Sequence, residues 1–373
     1  MDVSIVVGTR PEIVKMAPVV LALREANVPF SLVHTGQHYD QELSQVFLEE
    51  LGLGAPDAVL DVGSGTQAKQ TAEALIRLES HFARDPPRLI LVEGDTNTVL
   101  AAALAGAKLG IDVGHVEAGL RSHDLRMPEE HNRRLTDHLS SYLYAPTEVA
   151  SKNLRLEAVW GTIHITGNTV IDASLRYLPL AKDRSGVMDL VPFDRFCLVT
   201  AHRAENVDDP GTLHELVDLL RKAPLSVVYP VHPRAENRLR EAGIYEHLQE
   251  SENVRLLPPQ GYFDFLVLMS RSTFILTDSG GIQEEATSPE IQKKVLVFRT
   301  STERPEAVAA GYARVVGTSA EGALTAMREY LDDPSPPSGP SPYGDGTSGV
   351  QIASLVREAL TKGPGPLGRG DAA

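Results

Sequence analysis

Short runs rich in Val, Ile and Leu alternate along the chain with longer stretches whose apolar positions recur at helical spacing. This alternation is the pattern of βαβ units around a parallel sheet. In the first half it predicts strands near Val3–Val7, Phe30–His34, Leu89–Glu93, Val113–Val116, Tyr142–Ala145 and Ile163–Thr166. In the second half it predicts strands near Phe196–Thr200, Ser226–Tyr229, Val254–Leu257, Phe274–Thr277, Val295–Phe298 and Arg314–Val316. Helical segments such as Glu12–Ala26, Thr98–Leu109 and Gly211–Leu220 lie between them. Two sets of about six strands predict an α/β chain of two Rossmann-like, doubly wound domains, residues 1–172 and 173–348. Residues 349–362 then read as a final helix, and the Gly/Pro-rich 363–373 as a frayed tail with no chemistry to carry.

Composition agrees with this division, since 373 residues exceed what one hydrophobic core usually supports. Fifty Asp and Glu against 35 Lys and Arg leave a net charge of −15, which argues against non-specific nucleic-acid binding but leaves room for a local basic cleft. The single cysteine, Cys197, excludes an intramolecular disulfide and a zinc ribbon, and its place in a predicted strand reads as a buried, inert thiol. The N-terminus has no signal-peptide pattern and no run of eighteen apolar residues occurs. The expectation is a cytoplasmic protein with no membrane partner.

Ligands of doubly wound sheets bind at the carboxyl ends of the strands, so the polar clusters found there nominate the site. They include Gly8-Thr9-Arg10-Pro11-Glu12, Glu93-Gly94-Asp95, Glu117-Ala118-Gly119-Leu120-Arg121, Ala201-His202-Arg203 and Asp278-Ser279-Gly280-Gly281. Clusters at corresponding ends of both domains predict a ligand in the cleft between them. The first turn is not Gly-x-Gly-x-x-Gly, which disfavours a tightly held dinucleotide. Ser279-Gly280-Gly281 opens a predicted helix whose free N–H groups suit a pyrophosphate, and Glu285, about one turn on, suits ribose hydroxyls; a Ser-capped glycine turn is the plain alternative. Carboxylates converging from Glu93, Asp95, Glu117, Glu129 and Glu130 raise one another's pKa values and so offer acid and base candidates. His131 and His138 lack His-Glu-x-x-His spacing and read as structural histidines rather than metal ligands.

Several of these stretches resemble one family. Gly8-Thr9-Arg10-Pro11-Glu12, the run from His115 to Arg121, Pro128-Glu129-Glu130-His131-Asn132-Arg133, Thr166-Gly167-Asn168-Thr169, Pro230-Val231-His232-Pro233, the run from Leu276 to Ala286, Thr302-Glu303-Arg304-Pro305-Glu306 and Pro342-Tyr343-Gly344-Asp345-Gly346 look like the non-hydrolysing UDP-N-acetylglucosamine 2-epimerases. The resemblance covers nearly the whole chain and implies a GT-B-like fold whose last helix crosses back to the first domain. It also implies a cytoplasmic homodimer that interconverts UDP-GlcNAc and UDP-ManNAc for surface-polysaccharide synthesis, without nicotinamide or other cofactor.

Carried over by position, Asp95, Glu117 and Glu129 match the family's catalytic carboxylates, with Glu130 competing for the last place, and His202 matches its active-site histidine. Arg10, Lys15, Gln260, Phe265, Ser279, Gly280, Glu285 and Arg304 match positions that hold UDP. Gln37 is retained at a regulatory UDP-GlcNAc position, whereas Asp40 replaces the glutamine of many bacterial members. The stretch Thr287–Val295 lacks the Gly and Pro that the family usually has just before the strand and is longer than usual.

The implied chemistry is constrained by the sugar. Its C2 hydrogen is not next to a carbonyl, so direct deprotonation is prohibitive. Elimination of UDP to 2-acetamidoglucal and re-addition needs only acid–base groups and stabilisation of the leaving diphosphate. The alternatives are a hydrolysing epimerase that releases UDP and N-acetylmannosamine, an epimerase of a modified UDP-GlcNAc, a glycosyltransferase, and a non-catalytic UDP-sugar sensor.

Overall fold

The structure, a computed structural model, describes residues 2–36, 41–335, 337 and 339–362, the backbone alone over 41–45. Gln37, Asp40 and the predicted tail 363–373 lie outside the described residues.

The chain divides into two units, Met1–Ala173 with Tyr343–Ala373, and Ser174–Pro342. Among the described residues the first holds a seven-stranded parallel sheet: β1 (Val3–Val7), β2 (Phe30–His34), β3 (Ala58–Val59), β4 (Leu89–Glu93), β5 (Asp112–Val116), β6 (Tyr142–Ala145) and β7 (Thr162–Ile165). Its order is β3-β2-β1-β4-β5-β6-β7. The two-residue β3 is too short to carry a periodic signal, and it escapes a reading by pattern. β1 and β4 are buried along their whole length, as strands covered by helices on both faces must be.

The second unit repeats the plan with β8 (Cys197–Thr200), β9 (Val227–Pro230), β10 (Val254–Leu257), β11 (Phe274–Thr277), β12 (Val295–Val297) and β13 (Ala313–Val315), in the order β10-β9-β8-β11-β12-β13. In each sheet the order reverses beside the first strand, between β1 and β4 and between β8 and β11. A crevice opens at such a switch point. The turns beyond these four strands hold Gly8–Arg10, Gly94–Asp95, His202 and Asp278–Gly280.

Two local features depart from the pattern reading. Residues 343–348 belong to the first unit rather than the second: the Asn168 N–H donates to the Tyr343 carbonyl at 2.7 Å. The helix Ser348–Thr361 then packs on Arg10–Glu25, with the Gly349 N–H on Asp172 at 2.8 Å. A Cβ at Gly349 would stand 2.8 Å from the Pro18 backbone, so the two helices approach too closely for any larger residue. In the loop before β12, where the family's usual glycine is missing, Gln292 takes a left-handed backbone conformation (φ 45°). No helix among the described residues is long and apolar enough to cross a membrane.

Candidate active site

The first turn is built around a buried acid. Helix Arg10–Glu25 starts after Thr9 with Pro11 in its first turn. Glu12 reaches back so that the Gly8 N–H donates to it at 2.7 Å and the Thr9 hydroxyl at 2.9 Å. Burial pushes the Glu12 carboxyl up to about 7, against the pull of these donors. Gly8 itself has no room for a side chain, because a Cβ would stand 2.5 Å from Thr98 Oγ1 and 2.7 Å from Thr35 Oγ1. Arg10 is exposed, its guanidinium 5.9 Å from the centre of the Phe47 ring.

One turn along that helix, Lys15 places its ammonium 3.0 Å from Glu93 Oε1 and 2.5 Å from Glu117 Oε2. The family resemblance matches Lys15 with a position that holds UDP; in this structure it pairs with the carboxylates of Glu93 and Glu117. Glu93 ends β4 and is almost wholly buried. That burial holds its carboxyl well above the usual carboxylate range, Lys15 opposing and the Glu117 charge adding to the rise.

Glu117 follows β5 and takes a left-handed backbone (φ 67°), a conformation costly for a residue with a side chain and concentrated at functional sites. Its Oε2 also accepts from Asn168 Nδ2 at 2.9 Å.

Helix Pro128–Leu139 holds the remaining acids of this unit. Glu130 is fully buried and accepts from the Ser122 N–H (2.8 Å) and hydroxyl (2.9 Å), Arg133 (3.1 Å) and Arg134 (3.0 Å). Burial works against its ionisation, but the Ser122 donors and the two arginines prevail and hold it below its ordinary value. The side chain of Glu129, half-buried at the start of the same helix, has no hydrogen bond or ion pair among the described residues. Asp95, in the turn after β4, is gripped by the Arg133 guanidinium, and its carbonyl accepts from Asn132 at 3.0 Å.

The second unit treats its acids differently. Asp278 follows β11 and is fully buried; its Oδ2 accepts from the His202 and Arg203 N–H groups, both at 2.9 Å, and from Asn206 at 3.0 Å. His202 Nδ1 lies 3.2 Å from Oδ1, while 40% of the His202 side chain stays exposed. Burial opposes the Asp278 charge, yet His202 and these donors lower its pKa. Ser279 caps the short helix Gly280–Glu285 without using its hydroxyl on the helix.

Around that helix start, Glu303 accepts from Arg299 at 2.6 Å and Arg203 at 2.8 Å, and the charges of Arg304, Arg203 and Arg299 overcome its burial to hold it far below the carboxylate range. Arg304 is buried with its Nε 2.5 Å from Glu284 Oε1, and its guanidinium carbon would be 3.5 Å from a Cβ at Gly280. Glu285 is buried, and its charge adds to the burial that holds the Tyr262 hydroxyl above its ordinary value. Gln260 donates to the Pro258 carbonyl at 2.7 Å, and Phe265 is half-buried in helix Tyr262–Arg271.

The structure thus brings Lys15 and Glu117 into contact, sets Glu129 on the helix that grips Asp95, and gathers Gly280 and Arg304 around Glu303. Sequence reasoning gave no separate part to Glu12, Asn168, Asp278 or Glu303. Asp278 carried a readable signal, an acid directly following an uninterrupted apolar strand. Asn168 and Glu303 stood inside recognised motifs but had nothing to mark their partners.

Residues 21–357 match the sequence model of the family described as UDP-N-acetylglucosamine 2-epimerase. The UDP-N-acetylglucosamine 2-epimerase of Methanocaldococcus jannaschii is 41% identical over 365 residues, covering 95% of this chain and 99% of that protein. That of Escherichia coli K12 is 42% identical over 383 residues, with 96% and 98% covered. The crystal structure of the M. jannaschii enzyme in complex with UDP-GlcNAc and UDP superposes with a TM-score of 0.88, covering 96% of this chain and 100% of that one.

Proposed function

Since the chain belongs to the UDP-N-acetylglucosamine 2-epimerase family, we propose that it interconverts UDP-N-acetylglucosamine and UDP-N-acetylmannosamine without net hydrolysis. A carboxylate removes the C2 proton as the C1–O bond to UDP breaks, giving 2-acetamidoglucal. UDP then adds back at C1 while a second carboxyl group delivers a proton to the opposite face of C2. Asp95, Glu117 and Glu129 are the acid–base set. Glu129 takes its place ahead of Glu130 because Glu130 is buried and already saturated by Ser122, Arg133 and Arg134.

Arg10, His202 and the Ser279-Gly280 helix start steady the departing diphosphate. Glu285 accepts from the ribose, Phe265 and Gln260 hold the uracil, and Arg304 completes the nucleotide cradle. Lys15 is near Glu117 in this structure, which favours a part in orienting that carboxylate as well as in binding UDP. The reading includes a cytoplasmic homodimer, supported by resemblance to the family.

The observation that carries the assignment is Glu117: a carboxylate in an unfavourable backbone conformation, held by Lys15 and Asn168 at the end of β5. Incubation with UDP-GlcNAc in heavy water tests it. Both epimers should gain deuterium at C2, with only traces of free UDP, and Glu117→Gln should lose about 10²-fold or more in turnover while still binding UDP. Stoichiometric UDP release would identify a hydrolase instead, and product without C2 deuterium would exclude exchange through an enzyme carboxylate.

A further inference from the structure

Behind the candidate carboxylates lies a polar strut that the proposed chemistry does not use. His115, in the middle of β5, is fully buried. Its Nε2 lies 2.8 Å from the Gly94 carbonyl and its Nδ1 2.7 Å from Asp137 Oδ1. Asp137 is equally buried; its Oδ2 accepts from Arg121 at 2.7 Å and from the Gly119 N–H at 3.3 Å.

Each end of this strut meets a turn carrying a candidate catalytic residue. Gly94 (φ 86°) directly precedes Asp95, and Gly119 (φ 85°) comes two residues after Glu117. Asp137 belongs to helix Pro128–Leu139, which carries Glu129 at its start and grips Asp95 through Asn132 and Arg133. Positions 129, 133 and 137 follow one another at i, i+4 spacing and so share a helix face.

We propose that Asp137 and His115 are positioning residues that hold Asp95, Glu117 and Glu129 in mutual register, an inference that rests on the assignment of those three carboxylates. Neither touches solvent, so neither can reach a sugar. Stability alone gives little reason to bury Asp137, His115 and Arg121 together, because well-packed apolar residues of similar volume commonly serve as well or better. What a hydrogen-bonded strut adds is direction. The His115 ring spans the Gly94 carbonyl and Asp137 Oδ1, and Asp137 Oδ2 accepts from Arg121 and the Gly119 N–H, so the strut fixes the orientation of ring and carboxylate as well as their distances. A misplacement of about 1 Å at a reacting group costs on the order of 10²-fold in rate, whereas ground-state binding of the nucleotide does not depend on this register.

The test uses the full chain carrying Asp137→Asn, His115→Leu or His115→Gln. Asp137→Asn and His115→Leu should each lower kcat about 10²-fold while KM for UDP-GlcNAc and the affinity for UDP stay within about threefold. His115→Gln, which restores one donor, should recover about tenfold of the His115→Leu loss, and Asp137→Asn with His115→Leu should be no slower than the slower single variant. Full turnover in Asp137→Asn, or a rise in KM that accounts for the whole loss, overturns the proposal.

Hydrogen exchange read by mass spectrometry keeps this separate from the functional assignment. Segments 93–97 and 117–121 should exchange faster together in Asp137→Asn, whichever sugar nucleotide is the substrate. Unchanged exchange in both segments, or faster exchange spread over the whole first unit, counts against a strut. A parent inactive on UDP-GlcNAc, with the local exchange effect intact, would sink the functional reading while sparing the strut.

Discussion

In the first unit Glu12, Glu93 and Glu117 crowd together with Lys15 as the cation in contact, and burial leaves Glu12 and Glu93 with raised pKa values. In the second unit the ratio is inverted: Glu303 faces Arg299, Arg203 and Arg304, and Asp278 takes three N–H donors on one oxygen. The same side-chain types are therefore set to opposite tasks. A buried carboxyl such as Glu12, raised to about 7, can hold a proton near neutral pH, so the Glu12–Glu93 cluster lies beside the proposed acid–base set without being part of it. Carboxylates saturated with cations are fixed anions, useful for aiming arginines and backbone turns at a phosphate but unable to exchange protons in the working range. Hence the charge environment separates the Glu12–Glu93 cluster of the first unit from the Glu303 and Asp278 clusters of the second, a division that counting acids cannot reveal.

The largest test breaks the second side of that comparison. Glu303→Gln removes the charge that Arg299, Arg203 and Arg304 share, leaving buried guanidinium groups without full compensation. The expected loss is about 3–5 kcal/mol of unfolding free energy, read from urea transitions. A loss under about 1 kcal/mol would mean that Glu205 and Glu284, which already pair with Arg299 and Arg304, carry the balance on their own.

The first side is sharpened by pH. The folded-state pKa of Glu12 is raised from near 4.5 to about 7, so the folded protein keeps a proton that the unfolded chain gives up. Stability contributed by this group is complete below about pH 4.5, falls as pH rises through the interval to about 7, and is level above it, an effect of at most about 3 kcal/mol. Glu12→Gln should flatten the fall in stability between pH 5 and pH 8 by a measurable part of that amount, whatever its effect on the absolute value. An unaltered slope would show that Glu12 stays ionised in the folded protein and that the first unit is better supplied with positive charge than its contacts indicate.

How much of this was readable beforehand follows the same division between pattern and partner. The alternation of apolar runs with helical stretches located the strands of both sheets to within a residue or so, apart from the two-residue β3, because buried parallel strands read as short continuous apolar runs. Strand ends pointed to the turns holding Asp95, Glu117, His202 and Ser279, since the switch-point rule depends only on topology. Partners were not legible. Nothing in the spacing places Lys15 between Glu93 and Glu117, about eighty and a hundred residues away, or closes Glu303 against Arg203 from the turn after β8. Choosing between Glu129 and Glu130 likewise needs the helix to exist, because which neighbour faces Ser122 is decided by the helix's rotation and not by the order of two identical letters.

The smallest expected effect compares two adjacent glycines at the edge of the Glu303 cluster. A Cβ at Gly280 would stand 2.9 Å from Glu303 Oε1, closer than real Cβ atoms come, whereas at Gly281 it would meet nothing within 4 Å. On the end of a free side chain the first contact would be relieved by a small rotation. Glu303 is not free to rotate, because Arg299 and Arg203 hold its two oxygens from different sides. Gly280→Ala should therefore lower the unfolding free energy by about 1 kcal/mol or more, in line with the cost of forcing extra volume into a packed site. Gly281→Ala should raise it by up to about 1 kcal/mol, the usual gain from replacing glycine within a helix. Thermal unfolding of the two variants without nucleotide reads the difference directly. If both are equally stable, the Glu303 carboxylate can shift despite its arginines, and the second unit is less rigidly pinned than its ion pairs suggest.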